Sequence, residues 1–384
     1  MDFKHLGNLQ KVFDDAVRNN NVAGVNCVVV KDNKETGYWQ AGFADIENKK
    51  LFNRGTICRL YSMSKPVTAV AAWILIERGL LDLKADISSF ITSFKNQKYI
   101  ITVQDLLNMT SGYTYGTFND DSTEGEKQTS VLIQKLNEDC MKKSSISTLD
   151  IAEELSRIEP SFCPGTDYAY GLSADILGAV IEIVSGMKFS DFLKKEIFIP
   201  LGMNDTDFYV PQEKQHRLSS VYKCDGITNP VKFEKPNLGI QPFMDHAPSF
   251  ESGGAGLCST IDDYLKFCLM LVNGGKYNSK RILQKKTVEY LSSAHLPLKL
   301  QEKFEMRMPH FAGYTYCNLM RVAVKKGECF SLTENGEFGW DGWLGPYMSV
   351  DLKNSLVIVM LMQKTDAGTW ELTRKMKNIV YSSL

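Results

Sequence analysis

The sequence predicts an α/β (α+β) protein in which an antiparallel sheet is flanked by N- and C-terminal helices and carries a mostly helical insertion. β-Rich segments lie near both ends of the chain, at 25–43 and 313–362, whereas helical periodicity dominates from about 83 to 250. Because the strand signals are split between the two ends, we expect them to meet in one sheet, with the helical segment inserted between them.

The two chain ends complete this prediction. Apolar residues at helical spacing predict an amphipathic helix over 5–20, and a second helix is predicted over about 367–381. We therefore expect one α/β domain built from 1–82 and 251–384 and a helical insertion at 83–250. The active site is expected between these two parts, where ligand sites are common.

Periodicity and turn signals place the individual elements. Asp32 and Asn33 mark a turn between the first two strands, which are predicted to form a hairpin. The predicted strands are 25–30, 37–43, 57–61, 313–325, 347–351 and 355–362. The predicted helices between the two β-rich regions are one that opens at Ser62 and runs through Ile76, and others at 102–109, 130–142, 148–157, 173–185 and 190–196.

Charge and composition exclude several classes of protein. The chain has 384 residues with 44 basic and 45 acidic side chains, a balance that argues against nucleic-acid binding. The longest apolar run, about 67–76, is half of what a membrane span requires, and the N-terminus lacks the apolar run of a secretory signal. Nine cysteines without C-x-x-C pairs suit a reducing compartment, so a cytoplasmic location is predicted.

No cofactor and no metal site are predicted. The five histidines, at positions 5, 216, 246, 295 and 310, show no metal-binding spacing. The run Gly253-Gly254-Ala255-Gly256 is not followed by the Gly-Lys-Ser/Thr of a phosphate loop, so a tight turn before a helix cap at Ser259 or Thr260 explains it better. A Ser–His–Asp triad lacks the G-x-S-x-G elbow that would support it.

The Ser-x-x-Lys pattern occurs three times, and its context separates the three matches. It begins at Ser62, Ser185 and Ser220. Ser185 precedes Gly186 at the end of an amphipathic helix, where glycine commonly ends helices, and Ser220 lies in a polar region without a helix signal. Ser62 follows a strand-like run and opens a helix, because Pro66 is tolerated only in the first helical turn.

A serine and a lysine at this spacing can act as nucleophile and base. Unpaired N–H groups and the positive end of the helix dipole stabilise the oxyanion that forms when Ser62 attacks a carbonyl group. Lys65 lies on the same helix face and can reach Ser62 Oγ, and burial would lower its pKa towards base function. The alternative is that Ser62 or Ser64 only caps the helix and that Lys65 is solvated.

Five segments, in order along nearly the whole chain, resemble one known family. The run Tyr61-Ser62-Met63-Ser64-Lys65-Pro66 looks like the first motif of the serine β-lactamase-like superfamily. It most resembles the class C β-lactamase branch, which includes related esterases and D-amino-peptidases. The later segments that are similar to this branch are Ile101-Thr102-Val103-Gln104-Asp105-Leu106-Leu107 with Thr110-Ser111-Gly112-Tyr113, Pro164-Gly165-Thr166-Asp167-Tyr168-Ala169-Tyr170, Gly253-Gly254-Ala255-Gly256 and Gly339-Trp340-Asp341-Gly342-Trp343.

The resemblance implies which residues carry the chemistry. It makes Ser62, Lys65 and Tyr170 the catalytic residues, and it places the oxyanion hole at the backbone N–H groups of Ser62 and Trp343. A tyrosine hydroxyl beside a lysine ammonium can have a lowered pKa and relay a proton, which is the role expected of Tyr170.

Two departures from the family pattern bear on the substrate. Family members usually carry Lys or His at the start of the third motif and Asn two residues after the motif tyrosine, whereas this chain has Trp340 and Leu172. The cation helps to hold a substrate carboxylate, and the asparagine helps to bind an amide. We expect Trp340, Leu172 and Gly342 to line the substrate site. An aromatic wall of Trp340 or Trp343 suits a neutral acyl or alcohol group, and Gly342 permits close approach of the backbone.

The predicted function is therefore a serine hydrolase that forms an acyl-enzyme on Ser62, in the first place a carboxylesterase acting on a small molecule. Hydrolysis of a β-lactam, an amide or a D-amino-peptide by the same chemistry is the alternative within this class. A catalytically silent relative that binds acyl or peptidoglycan-like ligands, or has a structural role, is the alternative from another class. Retention of Ser62, Lys65 and Tyr170 argues against that second alternative.

Overall fold

The strands lie mainly at the two ends of the chain. The computed structural model describes residues 1–142 and 146–384. Its strands are β1 Gly24–Lys31, β2 Lys34–Asp45, β3 Lys50–Leu51, β4 Cys58–Arg59, β5 Tyr222–Lys223, β6 Val231–Lys232, β7 Cys258–Ser259, β8 Lys276–Tyr277, β9 Lys280–Arg281, β10 Tyr314–Cys317, β11 Met320–Ala323, β12 Phe338–Gly339, β13 Tyr347–Asp351 and β14 Leu356–Met362.

Helices occupy most of the chain between these strands and both of its ends. The α-helices are α1 Phe3–Leu6, α2 Asn8–Arg18, α3 Ser64–Glu77, α4 Val103–Leu107, α5 Glu124–Asp139, α6 Thr148–Leu155, α7 Ser173–Ser185, α8 Phe189–Leu193, α9 Ile199–Leu201, α10 Ile261–Val272, α11 Lys285–Leu291, α12 Leu298–Arg307 and α13 Glu371–Ser382. A π-turn at Lys194–Phe198 joins α8 to α9. Short 3₁₀ turns lie at Tyr61–Met63, Ile87–Ser89, Thr92–Asn96, Gln212–Arg217 and Pro309–Phe311.

One antiparallel sheet brings the two β-rich regions together. Within the described ranges, eight strands form it in the order β10-β11-β12-β13-β14-β1-β2-β3. At its centre β14, from the C-terminal part, pairs with β1, from the N-terminal part, in a register that runs from Val25 opposite Met362 to Lys31 opposite Leu356. The predicted fold class, an antiparallel sheet flanked by terminal helices, is confirmed. The predicted division into two domains stays a prediction.

Alternating side chains of the central strands bury both faces of the sheet. Val25, Cys27 and Val29 of β1 share a buried cluster with α2 and α13, the terminal helices. Val28 and Val30 point to the other face, into the main core that contains α3 and α10. This alternation is the pattern expected of a strand covered by helices on both sides. It places α3, the helix that follows Ser62, inside the protein.

Several predicted elements differ from the structure in their bounds. The helix predicted over 5–20 is interrupted at Gly7, which separates α1 from α2. The strand predicted over 57–61 is reduced to β4, because a 3₁₀ turn already begins at Tyr61. The segment 313–325 forms two strands, β10 and β11, joined by a tight turn whose central residues, Asn318 and Leu319, both have positive φ.

Further differences concern helix ends. The helix predicted over 130–142 begins earlier, at Glu124, where a Thr123–Glu126 capping box fixes its start. Thr260, one of the two predicted caps after the glycine run, is the N-cap of α10. No helix in the ranges 1–142 and 146–384 is long and apolar enough to cross a membrane.

Candidate active site

The candidate nucleophile lies on a tight turn before a buried helix. Ser62 occupies the 3₁₀ turn Tyr61–Met63, so it precedes α3 and is not part of that helix, which begins at Ser64. Tyr61 has a φ of 46°, a left-handed conformation that is uncommon for a residue other than glycine and often occurs at functional sites. Pro66 lies in the first turn of α3, as predicted. Ser62 retains 8% of its surface exposed.

Lys65 lies at the centre of the site and is completely buried. Its Nζ atom is 3.2 Å from Ser62 Oγ, 2.9 Å from the hydroxyl oxygen of Tyr115 and 2.9 Å from the carbonyl oxygen of Gly254. Burial lowers the pKa of Lys65 to about 7, against the attraction of the Asp175 carboxylate, the larger of two carboxylate effects that raise it. The structure therefore brings Ser62 and Lys65 together as the sequence predicted.

Tyr170 lies beside the same two residues. The centre of its ring is 4.7 Å from Lys65 Nζ, and its hydroxyl oxygen accepts a hydrogen bond of 2.8 Å from the indole Nε1 of Trp340. Burial raises the pKa of Tyr170 well above its usual value, and hydrogen bonds with Ser62 and Trp340 offset only part of this rise. The predicted lowered pKa is therefore wrong, because loss of water disfavours the phenolate.

Tyr115 is a residue of this site that the sequence analysis missed. Its hydroxyl oxygen accepts the hydrogen bond from Lys65, and its ring packs edge-on against Tyr170 with centroids 5.7 Å apart. Burial raises its pKa well above the usual range, while a hydrogen bond with Ser62 acts in the opposite direction. Tyr115 follows the Thr110–Tyr113 segment, and that position in the chain was its only sequence signal.

The expected oxyanion-hole residues lie close together. The ring of Trp343 packs on that of Tyr61, the neighbour of Ser62, with centroids 5.0 Å apart. A Cβ atom at Gly342 would lie 2.2 Å from the Leu60 carbonyl oxygen, so only glycine allows this turn to pass against the chain that leads into Ser62. Among the described residues, neither the N–H of Ser62 nor that of Trp343 donates a hydrogen bond to another part of the chain. The oxyanion-hole role of these two N–H groups stays a prediction.

Two of the side chains predicted to bind substrate, those of Trp340 and Leu172, are buried and do not form an open wall of the site. Trp340 is 2% exposed and stacks on Phe311, with Tyr316 at its edge. Leu172 is 3% exposed and belongs to the main core. Trp343, in contrast, is partly exposed. The substrate-binding roles of Trp340, Gly342 and Leu172 stay predictions, while the structure gives Trp340 a clear contact with the Tyr170 hydroxyl.

Comparison with known proteins identifies the family. The sequence pattern of the Beta-lactamase family matches residues 9–375. The chain belongs to this family. The predicted resemblance is thereby confirmed, and with it the prediction of a serine hydrolase of the β-lactamase type.

Individual relatives are distant in sequence and close in structure. The chain is 29% identical to Esterase EstB of Burkholderia gladioli over 278 residues, which cover 67% of this chain and 68% of EstB. It is 26% identical to Protein Rv1367c of Mycobacterium tuberculosis over 343 residues, 84% of this chain and 81% of the relative. The structure of EstCE1, described as a hydrolase with promiscuous acyltransferase activity, superposes with a TM-score of 0.85 at 23% identity and covers 99% of both chains. At that identity the superposition shows a shared fold.

Proposed function

We propose that this protein is a serine esterase that forms an acyl-enzyme on Ser62. One observation carries the proposal: the amine of Lys65 lies 3.2 Å from the Ser62 hydroxyl, and burial lowers its pKa to about 7. A lysine whose pKa is lowered this far is uncharged in a substantial fraction of the molecules at pH 7, unlike an ordinary lysine. It can therefore accept a proton from the nucleophile at physiological pH.

The acylation step follows from this arrangement. Ser62 Oγ bonds to the carbonyl carbon of the ester while its proton passes to the lone pair of Lys65 Nζ. The N–H groups of Ser62 and Trp343 donate hydrogen bonds to the oxyanion of the tetrahedral intermediate. The intermediate collapses with cleavage of the acyl–oxygen bond, and the proton passes from Lys65 through a tyrosine hydroxyl to the departing alcohol oxygen. Water then attacks the acyl-enzyme, and the reverse proton route releases the acid and free Ser62.

Tyr115 and Tyr170 act in this scheme as neutral phenols. The pKa of each is raised by burial, so neither forms a phenolate that could serve as the base. Each oxygen already accepts an N–H, from Lys65 for Tyr115 and from Trp340 for Tyr170. Each O–H can therefore donate towards Ser62 or the leaving group, which is what a proton relay requires.

The residues around this centre favour an ester without a carboxylate beside the reacting bond. Trp340 and Leu172 replace a cation and an amide that would bind a charged peptide-like substrate. Asp341 is buried and close enough to Lys65 to affect its pKa, so its carboxylate would repel an anionic group. Trp343 offers a partly exposed aromatic surface next to the turn that carries Ser62. The name of EstB as an esterase agrees with this proposal.

Labelling with a fluorophosphonate probe tests the nucleophile. The wild type is expected to be labelled and Ser62→Ala is expected not to be, because the probe bonds covalently to an activated serine. Ser185→Ala is the matched control, since Ser185 also begins a Ser-x-x-Lys pattern but lies at the C-terminal end of α7. Absence of label on the wild type would favour the silent, ligand-binding alternative.

Substrate preference is tested by comparing turnover of a short-chain p-nitrophenyl ester with that of a chromogenic cephalosporin. We expect a higher kcat/KM for the ester. Faster turnover of the cephalosporin would replace the ester proposal with β-lactam hydrolysis.

We further propose a cytoplasmic location, which the nine free thiols of the described chain support.

A further inference from the structure

The turn that contains Gly254 is held against the helix that carries Lys65. The carbonyl oxygen of Gly253 accepts a hydrogen bond of 2.7 Å from Thr68 Oγ1 on α3. The next carbonyl, that of Gly254, accepts the 2.9 Å hydrogen bond from Lys65 Nζ. Two successive peptide groups of this turn are therefore bonded to α3. The turn predicted from the glycine run is thus in direct contact with the candidate base.

A buried carboxylate fixes the other side of the turn. Asp175, on α7, is 2% exposed, and its Oδ1 atom accepts hydrogen bonds from the Ser252 hydroxyl and from the N–H of Gly254, the latter at 3.2 Å. A Cβ atom at Gly254 would lie 2.8 Å from Asp175 Oδ2 and 3.3 Å from Lys65 Nζ. One residue, Gly254, therefore lies between the carboxylate, which its N–H contacts, and the amine, which its carbonyl oxygen contacts, and no side chain fits there.

The hydrogen bonds of Lys65 determine where its lone pair points. A neutral lysine amine has two N–H donors and one lone pair. The Gly254 carbonyl oxygen can only accept, and the Tyr115 hydroxyl oxygen accepts while its own proton points elsewhere. When the two N–H groups point to these oxygens, the lone pair is left on the side of the third neighbour, Ser62 Oγ. Accepting the Ser62 proton needs this orientation.

We propose that Asp175 is a positioning residue, which fixes the Ser252–Gly254 turn so that the Gly254 carbonyl directs the lone pair of Lys65 at Ser62. This inference rests on the proposed function and adds a residue to it. Asp175 acts through the turn and touches neither substrate nor the reacting atoms. Its charge has a second effect, because a carboxylate near a buried ammonium favours the protonated form.

The groups that face Lys65 come from several elements. Asp175 on α7 and Asp341, which follows β12, are carboxylates that raise the pKa of Lys65, whereas Tyr115 and Tyr170 stay uncharged. Burial raises the pKa of Asp175 itself, and the attraction of Lys65 is the largest influence that opposes this rise. Replacing the Asp175 carboxylate by a neutral group should therefore lower the pKa of Lys65 further.

The variant Asp175→Asn separates the two effects. It keeps the size and one carbonyl acceptor of Asp175 but removes the charge. We expect the rising limb of kcat/KM against pH, centred near the Lys65 pKa of about 7 in the wild type, to move down by about one pH unit. We expect kcat at pH 8 to fall by about tenfold with little change in KM, because a displaced base affects the chemical step.

Glu251→Gln is the matched control. Glu251 is also a carboxylate that is 2% exposed, and it precedes Ser252, but its partners are Lys188 and the N–H of Ser190. This variant is expected to lower the thermal midpoint while leaving the pH midpoint unchanged. A purely structural role of Asp175 would give the same result as this control.

The outcomes distinguish the inference from the proposed function. A wild type labelled by fluorophosphonate, together with an Asp175→Asn pH profile and kcat equal to those of the wild type, overturns this inference alone. An unlabelled wild type overturns the proposed function and the inference with it. If Asp175→Asn does not fold, Ser252→Ala decides, because it keeps the charge of Asp175 while it removes the hydrogen bond that Ser252 donates to this carboxylate and the one that Ser252 accepts from the Ala255 N–H. An unchanged kcat in Ser252→Ala then overturns the inference, and a lowered kcat supports it.

Discussion

Two lysines of this protein, Lys65 and Lys377, are buried to the same degree and have opposite acid–base behaviour. Lys65 is 0% exposed and Lys377 is 2% exposed. Lys65 donates to hydroxyl and carbonyl oxygens, and burial lowers its pKa to about 7. Lys377, on α13, lies 3.1 Å from the Glu337 carboxylate and 2.9 Å from the Tyr314 hydroxyl. Burial, the largest single effect, lowers its pKa, but the attraction of Glu337 together with the smaller effects of Tyr347 and Tyr314 outweighs burial, so the pKa of Lys377 is raised.

The contrast shows that the contacting partner, and not burial alone, decides what a buried lysine does. Glu337 touches Lys377 directly and also pairs with Arg321 at 2.8 Å, and its own pKa is lowered to about 2. The carboxylate with the larger effect on the pKa of Lys65, that of Asp175, contacts the Gly254 N–H, whereas Lys65 contacts the Gly254 carbonyl oxygen, so this residue lies between the two charges. A direct ion pair keeps a lysine charged and structural, whereas neutral acceptors leave it available as a base.

The largest effect is expected from Lys65→Met. Removing the base should lower kcat for a p-nitrophenyl ester by about 10³- to 10⁴-fold. Stability should be unchanged or slightly higher, since the variant no longer buries an amine without a direct counter-charge. Steady-state kinetics and thermal unfolding of the same sample measure both quantities. A large drop in the unfolding temperature would show that Lys65, like Lys377, stabilises the fold, and would contradict the contrast drawn between them.

Lys377→Met should give the opposite result. Among the described residues, it leaves the buried Glu337 carboxylate with Arg321 as its one remaining ion-pair partner, so the free energy of unfolding should fall by about 3 kcal/mol. The fraction that remains folded should keep the wild-type kcat, because the hydrogen-bond partners of Lys377, which are Tyr314, Thr333 and Glu337, lie outside the candidate site. Urea titration gives the first quantity, and active-site titration followed by kinetics gives the second. A loss of kcat per folded molecule would contradict a purely structural role for this lysine.

Trp340→Phe should have the smallest effect. It keeps an aromatic ring but removes the Nε1–H that donates to the Tyr170 hydroxyl. A neutral hydrogen bond contributes about 0.5–1.5 kcal/mol, so kcat should fall by about two- to tenfold. The ratio of kcat values with short and long acyl esters is expected to stay constant, because Trp340 is buried and positions Tyr170. A change in that ratio would instead support the substrate contact predicted from the sequence.

The sequence was most informative where local patterns decide the structure. The bounds of α7 and β13 coincide with the predicted ones. Ser62 and Lys65 lie close together because they are three residues apart in a helical stretch of the chain. The helices α11 and α12 were not predicted. Each has at most two buried apolar residues and is otherwise largely charged or polar, so the periodic signal of a buried face is weak.

The missed residues of the site have a different cause. Tyr115 and Gly254 lie 50 and 189 positions from Lys65 in the sequence, so no spacing rule joins them to it. Asp175 lies in the helix predicted over 173–185, but its role depends on the turn that it contacts. Trp340 was identified by type and position, yet an aromatic residue can form an open wall or a buried support, and only tertiary packing decides between them.

The pairing of β1 with β14 has a consequence for how the protein is made. At about 5–20 residues per second, the ribosome finishes β14 on the order of tens of seconds after β1 has emerged. Until then the central edge of β1 has no partner, and apolar residues on both of its faces are exposed. A polypeptide that ends before Leu356 therefore lacks the strand that pairs with β1 and cannot complete the sheet.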